Sequence, residues 1–118
     1  MIPLATLRKV IVDPQSSILD AIKAIDAGNI QAVLVAGSDD VLRGVITDGD
    51  VRRGLLKGET LQSPVAGIMN TKPVTLRAPA SREDALAQMR RSAVRQVPVL
   101  DESGRITGLH LMEGDSAT

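Results

Sequence analysis

The stretch Ser17-Ile18-Leu19-Asp20-Ala21 decides the fold, because its pattern returns 64 positions later as Ser81-Arg82-Glu83-Asp84-Ala85. Further identities recur in the same order and at the same spacing: Val33 as Val97, Val35 as Val99, and Gly44 as Gly108. A period this long indicates one duplicated supersecondary unit rather than a solenoid repeat. Two such copies that pack face to face leave a cleft between them, and a cleft is a natural place for a ligand.

Local signals in the first copy predict a helix followed by a hairpin. Ser17 and Asp20 fit a capping box, in which a hydroxyl and a carboxylate satisfy the free amides of a helix start. Gly28-Asn29 favours the end of this helix, since both residues tolerate left-handed geometry. The apolar runs at 32–35 and 42–46 then predict two paired strands.

The second copy presents the same elements in the same order. Val74-Thr75-Leu76 is its predicted opening strand, and a capped helix and two strands at 96–100 and 106–112 follow. Pro98 lies inside its strand, which predicts an edge position or a place where a ligand approaches the backbone.

The expected architecture is therefore α+β, with two β-α-β-β-α repeats related by an approximate two-fold axis. Repeat 1 covers 7–58, a linker covers 59–73, and repeat 2 covers 74–118. The helix that ends repeat 1 has no counterpart after Met112, so repeat 2 is expected to lack its last helix, as in a fragment of a longer protein. Such a gap predicts exposed apolar sheet surface, which favours association with another chain.

Composition excludes several classes of function. The chain of 118 residues balances 14 basic against 14 acidic residues and contains no Phe, Tyr, Trp or Cys. Nucleic-acid binding needs a basic face and often aromatic stacking, so no nucleic-acid partner is expected. Disulfides and thiolate metal sites are impossible. No apolar stretch approaches about 18 residues, so no membrane partner is expected and the predicted location is cytoplasmic.

The strongest candidate site is the stretch Gly44-Val45-Ile46-Thr47-Asp48-Gly49-Asp50, where a strand leads directly into a helix. Helix starts present free amides that favour an anion such as phosphate. Thr47 can donate its hydroxyl to a phosphate, and Asp50 can accept both hydroxyls of a ribose. Arg52 and Arg53 can offset phosphate charge. Thr-x-x-Asp is also a capping box that needs no ligand, so both interpretations stay open.

These residues also carry a family resemblance. The stretch 44–53, the segment Val65-Ala66-Gly67-Ile68-Met69-Asn70-Thr71-Lys72-Pro73-Val74-Thr75 and the strand Arg95-Gln96-Val97-Pro98-Val99-Leu100-Asp101 together resemble the cystathionine-β-synthase (CBS) domain. Two tandem copies of that domain make the pair called a Bateman module. The variant Thr-Asp-Gly-Asp-Val-Arg-Arg most resembles CBS pairs fused to sugar-phosphate nucleotidyltransferases.

The resemblance implies a regulatory module that binds an adenosyl ligand such as AMP, ADP, ATP or S-adenosylmethionine, with no cofactor required. It places phosphate at Thr47, ribose at Asp50 and the base against the linker and the central strand of repeat 2. The candidate ligand-binding residues are Thr47, Asp50, Arg52, Asn70, Thr71, Pro73, Val97 and Pro98. The matching positions in repeat 2 are Leu111 and Gly114, so one competent site is expected rather than two.

The expected partners are an adenine nucleotide, an attached catalytic domain and a second copy of the chain in a homodimer. Three alternatives remain. The chain can be a ligand-free dimerisation module, or a sensor for a guanine or sugar nucleotide. A small enzyme is the third alternative, and it is the least supported, since no nucleophile–base pair can be assembled around His110, the single histidine.

Overall fold

A computed structural model describes residues 1–28 and 30–114. In chain order, its elements are β1 (Ile2–Pro3), α1 (Leu4–Leu7), a 3-10 helix (Arg8–Val10), β2 (Ile11–Val12), α2 (Ile18–Gly28), β3 (Ala32–Ala36), β4 (Leu42–Thr47), α3 (Asp48–Leu56), a second 3-10 helix (Val65–Gly67), β5 (Leu76–Arg77), α4 (Arg82–Ser92), β6 (Gln96–Leu100) and β7 (Ile106–Leu111). The predicted α+β class is confirmed.

The strands form two sheets, one for each repeat. Repeat 1 builds a three-stranded sheet in the order β2-β3-β4, and repeat 2 builds a sheet in the order β1-β7-β6-β5. In each repeat a short strand pairs in parallel with the first strand of an antiparallel hairpin. Strand β1, from the start of the chain, extends the sheet of repeat 2 by pairing with β7.

The period of the sequence persists in the strand register. Val35 faces Gly44 in the hairpin of repeat 1, and the register shifts directly after Val35. Val99 faces Gly108 in the hairpin of repeat 2, and the register shifts directly after Val99. The predicted duplication is therefore present in the two hairpins, which share one register.

The two hairpins meet at the approximate two-fold axis through reciprocal hydrogen bonds. The backbone N–H of Leu42 donates to the carbonyl of Gly104 over 3.1 Å, and that of Ile106 donates to the carbonyl of Asp40 over 2.9 Å. Asp40 and Gly104 occupy equivalent positions and both adopt a positive φ, of 62° and 83°. Aspartate is among the few residues that tolerate this conformation, so the turn keeps its shape without a second glycine.

Both predicted capping boxes are formed. In repeat 1 the backbone N–H of Asp20 donates to Oγ of Ser17 over 3.1 Å, and Ser17 N–H donates back to the Asp20 carboxylate. The same reciprocal bonds join Ser81 and Asp84 at the start of α4. Gly28 ends α2 as predicted, and Asn29 lies outside the described residues.

A shared apolar core joins the two repeats. Leu34 and Val45 of repeat 1 are buried in the same cluster as Ile106 and Leu109 of repeat 2. Separate clusters lie under α2 and under α4, so each helix also packs on the sheet of its own repeat. The apolar contact between the sheets is what holds the two repeats face to face.

The predicted opening strand of repeat 2 is displaced. Val74 and Thr75 are not in a strand, and β5 contains Leu76 and Arg77, which pair with Val99 and Leu100. The pairing stops where β6 reaches Pro98, because proline has no backbone N–H to donate to a neighbouring strand.

No helix follows β7 within the described residues, which end at Gly114. The sequence predicts that the last helix of repeat 2 is missing after Met112. Most of the positions concerned, 115–118, lie outside the described residues. The predicted exposure of apolar sheet surface is wrong for the middle of β6 and β7, since Val97, Val99 and Leu109 are at most 1% exposed. Helix α4 covers one face of this sheet and the shared core covers the other.

The longest helices among residues 1–28 and 30–114 have 11 residues. None of them has the length and apolar character needed to cross a membrane.

Candidate functional site

A cavity of about 210 Å³ lies between the two repeats, and we call it the inter-repeat cleft. The end of β4 and the start of α3 form one wall, the linker forms the second, and the start of β6 forms the third. Its lining residues are Val45, Thr47, Asp50, Arg53, Asn70, Pro73, Val74, Val94, Gln96 and Pro98.

Thr47 ends β4 and caps α3. Its hydroxyl oxygen accepts a hydrogen bond from the backbone N–H of Asp50 over 3.4 Å, and its own N–H donates to Oδ2 of Asp50 over 2.9 Å. The capping-box interpretation of this motif is therefore correct. The cap does not exclude a ligand, because it places both side chains on the wall of the cleft.

The Asp50 carboxylate is held by three donors. Oδ2 accepts from the backbone N–H and the hydroxyl of Thr47, and Oδ1 accepts from Nη2 of Arg53 over 2.9 Å. The side chain remains 16% exposed. A carboxylate oxygen offers two lone-pair sites, so Oδ1 keeps acceptor capacity for a ligand hydroxyl.

The arginine on the cleft is Arg53, whereas Arg52 does not line it. Residues three apart in a helix share a face, so Arg53 lies beside Asp50 and Arg52 projects elsewhere. Both arginines were predicted to offset phosphate charge, and Arg52 was the predicted ligand-binding residue. The helical spacing from Asp50 was the signal that separates them.

The linker wall is fixed by backbone pairing. Asn70 N–H donates to the carbonyl of Val45 over 2.9 Å, and Val45 N–H donates back over 3.1 Å. This approach requires a glycine at Gly44, since a Cβ there would lie 2.8 Å from Sδ of Met69 and 2.9 Å from the carbonyl of Asn70. Pro73 lines the cleft further along the linker, while Thr71 is exposed and does not.

The side chains of β6 alternate between the cleft and the core, as successive residues of a strand do. Gln96 and Pro98 face the cleft, and Val97 between them is buried against Ala85 and Met89. Successive side chains of a strand point to opposite faces, so Val97 and Pro98 cannot both line one cavity. The two-residue period was the signal that would have selected Gln96 in place of Val97.

The structure thus brings together five of the eight predicted residues and separates three. Those on the cleft are Thr47, Asp50, Asn70, Pro73 and Pro98. Those that do not line it are Arg52, Thr71 and Val97. Arg53 and Gln96 also line the cleft, and they add one cation and one amide to its polar groups.

A larger cavity of about 420 Å³ adjoins the cleft, and the two share Thr47 and Gln96. We call it the central cavity, because Gln31 and Arg95, at equivalent positions of the two repeats, both line it. Arg95 forms an ion pair with Glu113 at its rim. Leu111 and Gly114, which correspond to Thr47 and Asp50, also line this cavity.

Among the described residues, no group of three or more His, Asp or Glu side chains lies close enough to hold a metal ion. The polar groups of the cleft are suited instead to hydroxyls and an anion. They have the chemistry of a binding site that contacts both repeats.

Two facing repeats with a polar cleft between them define a tandem binding-domain pair. The family model of the CBS domain matches this chain twice, over residues 5–57 and 65–109. The chain belongs to the CBS domain family and is a tandem CBS pair.

Similar proteins include arabinose 5-phosphate isomerase GutQ of Salmonella typhi, which is 34% identical over 93 residues, or 79% of this chain. The match covers 29% of GutQ, so the chain spans less than a third of that relative. The crystal structure of CBSX2 in complex with AMP matches with a TM-score of 0.81 and 24% identity, covering 96% of this chain and 87% of that chain.

The CBS domain pair of MJ0100, in complex with 5′-methylthioadenosine and S-adenosyl-L-methionine, matches with a TM-score of 0.77 and 22% identity. The match covers 88% of this chain and 82% of that chain. At these identities the two structures show a common fold.

Proposed function

We propose that this chain is a regulatory module that binds an adenosyl nucleotide in the inter-repeat cleft and modulates an attached enzyme. The observation that carries this proposal is the acceptor–cation pair of Asp50 and Arg53 beside the Thr47 cap. This group lies on a cleft that repeat 2 also lines. A ligand held there contacts both repeats at once.

The chemistry of the lining assigns one part of the nucleotide to each wall. Asp50 accepts a ribose hydroxyl through the remaining lone pair of Oδ1. The backbone amides at the start of α3 bind phosphate, which extends toward the central cavity. Thr47 joins them when its hydroxyl hydrogen turns from Oδ2 of Asp50 to the phosphate, since a hydroxyl has one hydrogen to donate. The base lies between the aliphatic surfaces of Val94 and Pro98, because the chain has no aromatic residue on which a base can stack.

Arg53 favours a phosphate-bearing ligand over S-adenosylmethionine. A guanidinium on the cleft attracts the dianionic phosphate of AMP and repels the sulfonium of S-adenosylmethionine. The AMP complex of CBSX2 supports AMP as the first ligand to test. ADP, ATP and S-adenosylmethionine are the further candidates.

Regulation follows if the nucleotide binds one arrangement of the two repeats more tightly than another. A ligand shifts a conformational equilibrium only by its difference in affinity for the two states. The bias passes to whatever domain is joined to the pair. We propose repeat boundaries at 7–58 and 74–118 around a linker at 59–73, and a cytoplasmic location.

The attached enzyme is proposed to act on a sugar phosphate. The motif at Thr47–Arg53 resembles CBS pairs fused to sugar-phosphate nucleotidyltransferases, which makes that class the first candidate. GutQ is an arabinose 5-phosphate isomerase, and its match to this chain favours a sugar-phosphate isomerase as the second. The two candidates share the class of substrate and differ in the reaction.

A second function, homodimerisation without a ligand, is favoured by exposed apolar side chains. Leu56, at the end of α3, is 79% exposed, and Leu55 and Leu61 are also exposed. Sedimentation of the wild-type chain and of Leu56→Glu tests this function. A dimer that the variant converts to a monomer supports it, and a wild-type monomer at high micromolar concentration contradicts it.

A dye-based thermal shift tests the nucleotide site, since the chain has no tryptophan or tyrosine to follow. Saturating AMP should raise the Tm of the wild type by about 5 °C or more. Asp50→Ala should abolish this shift. Asp84→Ala is the matched control, because it removes the same capping bond from α4, away from the cleft, and should keep the shift.

A shift that persists in Asp50→Ala would contradict the assigned site. No shift with AMP, ADP, ATP or S-adenosylmethionine would contradict adenosyl binding. A shift with GTP or a sugar nucleotide alone would favour the alternative sensor.

A further inference from the structure

The approximate two-fold axis generates a second cleft from the first. Adding or subtracting the period of 64 residues maps five lining residues of the inter-repeat cleft onto new positions. Val45, Val94 and Pro98 become Leu109, Ile30 and Leu34, and Val74 and Gln96 become Val10 and Ala32. All five counterparts are apolar and at most 2% exposed. These five positions of the second cleft belong to the shared core. Leu111 and Gly114, the counterparts of Thr47 and Asp50, line the open central cavity instead, so the closed part of the second cleft is the part that corresponds to the base site.

The segment Ile2–Val10 supplies the material that fills this second cleft, and we call it the N-terminal wedge. Ile2, Leu7 and Val10 are buried in the same cluster as Leu34 and Leu109. In the two-fold relation, Leu7 corresponds to Thr71, which is exposed beside the open cleft. One side of the axis thus carries a cavity, and the other side carries a buried leucine.

The wedge replaces the linker wall of the first cleft. Asn70 pairs with Val45 beside the open cleft, and Ile2 pairs with Leu109, the counterpart of Val45. The chain then enters α1 directly, which packs against β7 and buries Leu7. A helix in this place brings side chains into space that an extended linker leaves open.

Two further contacts fix the wedge. Gly28 lets Val10 approach α2, since a Cβ on Gly28 would lie 2.2 Å from Cγ1 of Val10. The guanidinium of Arg8 forms two hydrogen bonds with the carboxylate of Asp40, of 2.5 and 2.9 Å, across to the turn of repeat 1. The wedge is therefore anchored to both repeats.

We infer that the N-terminal wedge fills, through Leu7, the part of the second cleft where a base would lie, so that each chain takes one nucleotide. The expected stoichiometry of one nucleotide per chain rests on the proposed function. The burial of Leu7 in the second cleft does not depend on it. The wedge holds the two repeats together on one side of the axis. Ligand binding on the other side is then a single-site event with no cooperativity within the chain.

Titration calorimetry of the full chain with AMP tests the stoichiometry. We expect one AMP per chain with a single dissociation constant. Two AMP molecules per chain would overturn the inference, because the second cleft would then be open.

Thermal unfolding without any ligand tests the seating of Leu7 independently. Leu7→Ala should lower the Tm by about 10 °C or more, since it leaves a cavity in the core. Leu56→Ala is the matched control and should change the Tm by no more than about 2 °C, because Leu56 is exposed. Equal Tm values for the two variants would overturn the inference whatever AMP does.

The two readouts separate this inference from the proposed function. If AMP fails to bind, the proposed function fails, and the Tm of Leu7→Ala alone decides whether the wedge is seated. If AMP binds once and Leu7→Ala is strongly destabilised, both stand. Benzene, which enters enclosed apolar cavities, should also raise the Tm of Leu7→Ala and leave that of the wild type unchanged. An equal benzene effect on the wild type would overturn the inference, because the substitution would then have opened no new cavity.

Discussion

Arg53 donates a 2.9 Å hydrogen bond from Nη2 to Oδ1 of Asp50, one turn earlier on the helix that begins at the inter-repeat cleft. This pair places a cation beside the carboxylate proposed to hold the ribose. The carboxylate in turn accepts two bonds from Thr47, so the three side chains form one network on a single wall. The network shows that the side chains that cap α3 also line the cleft.

Arg53→Ala should weaken AMP binding about tenfold, because a hydrogen bond to a charged group contributes about 1.5–3 kcal/mol. Adenosine affinity should change by less than about threefold, since adenosine has no phosphate. Arg52→Ala is the control from the adjacent residue, which does not line the cleft. Titration calorimetry measures the affinity of both variants for AMP and that of Arg53→Ala for adenosine. Equal losses for the two variants would show that the charge acts only at long range.

Substitutions at the adjacent residues Gln96 and Val97 should have different effects, one on nucleotide affinity and the other on the free energy of unfolding. Gln96→Ala should weaken nucleotide binding while leaving the free energy of unfolding within about 0.5 kcal/mol. Val97→Ala should lower the free energy of unfolding by about 1–3 kcal/mol, because Val97 is fully buried against α4. Its nucleotide affinity should remain unchanged. Chemical denaturation and calorimetry check the pair, and the reverse pattern would mean that the faces of β6 are wrongly assigned.

Gly44→Ala should destabilise the chain by about 1–3 kcal/mol, since the new methyl group overlaps Met69 and the carbonyl of Asn70. The displaced linker wall should also reduce AMP affinity. Gly67→Ala is the matched control, because nothing lies within 4 Å of a Cβ at Gly67. Urea denaturation measures the difference. A Gly44→Ala protein as stable as Gly67→Ala would show that the linker wall yields at little cost.

Acid should weaken the anchor between Arg8 and Asp40. The hydrogen bond from Arg8 holds the pKa of the Asp40 carboxyl below its usual range. A carboxyl whose pKa is lower in the folded state contributes stability above its unfolded pKa of about 3.9 and loses it as the pH falls below that value. The contribution is therefore complete at pH 7 and diminishes as the pH falls through the folded pKa.

Asp40→Asn isolates this effect, because asparagine also tolerates the positive φ of this turn. The Tm of the wild type should exceed that of Asp40→Asn at pH 7, and the two should converge as the pH falls below about 3.9 and through the lower folded pKa of Asp40. Parallel Tm profiles across this range would show that the ion pair contributes nothing measurable.

The sequence by itself determined the features that depend on neighbours along the chain. The capping boxes of Ser17 and Ser81, the paired hairpins and the strand-to-helix junction at Thr47 all follow from contacts within a few residues. The period of 64 residues also revealed the duplication, and the structure pairs Val35 with Gly44 and Val99 with Gly108 in one register. Local hydrogen bonding and strand periodicity depend on residues that are close together in the sequence, so they can be predicted without knowledge of the fold.

The tertiary structure decided which of these residues face one another. Val97 rather than Gln96 faces the core because α4 covers that side of β6, and Pro98 ends the pairing with β5. The burial of Leu7 depends on Leu34 and Leu109, which are distant in the chain. Whether an apolar residue lines an open cleft or fills a closed one is set by the element packed against it, and no local pattern of residues specifies that element.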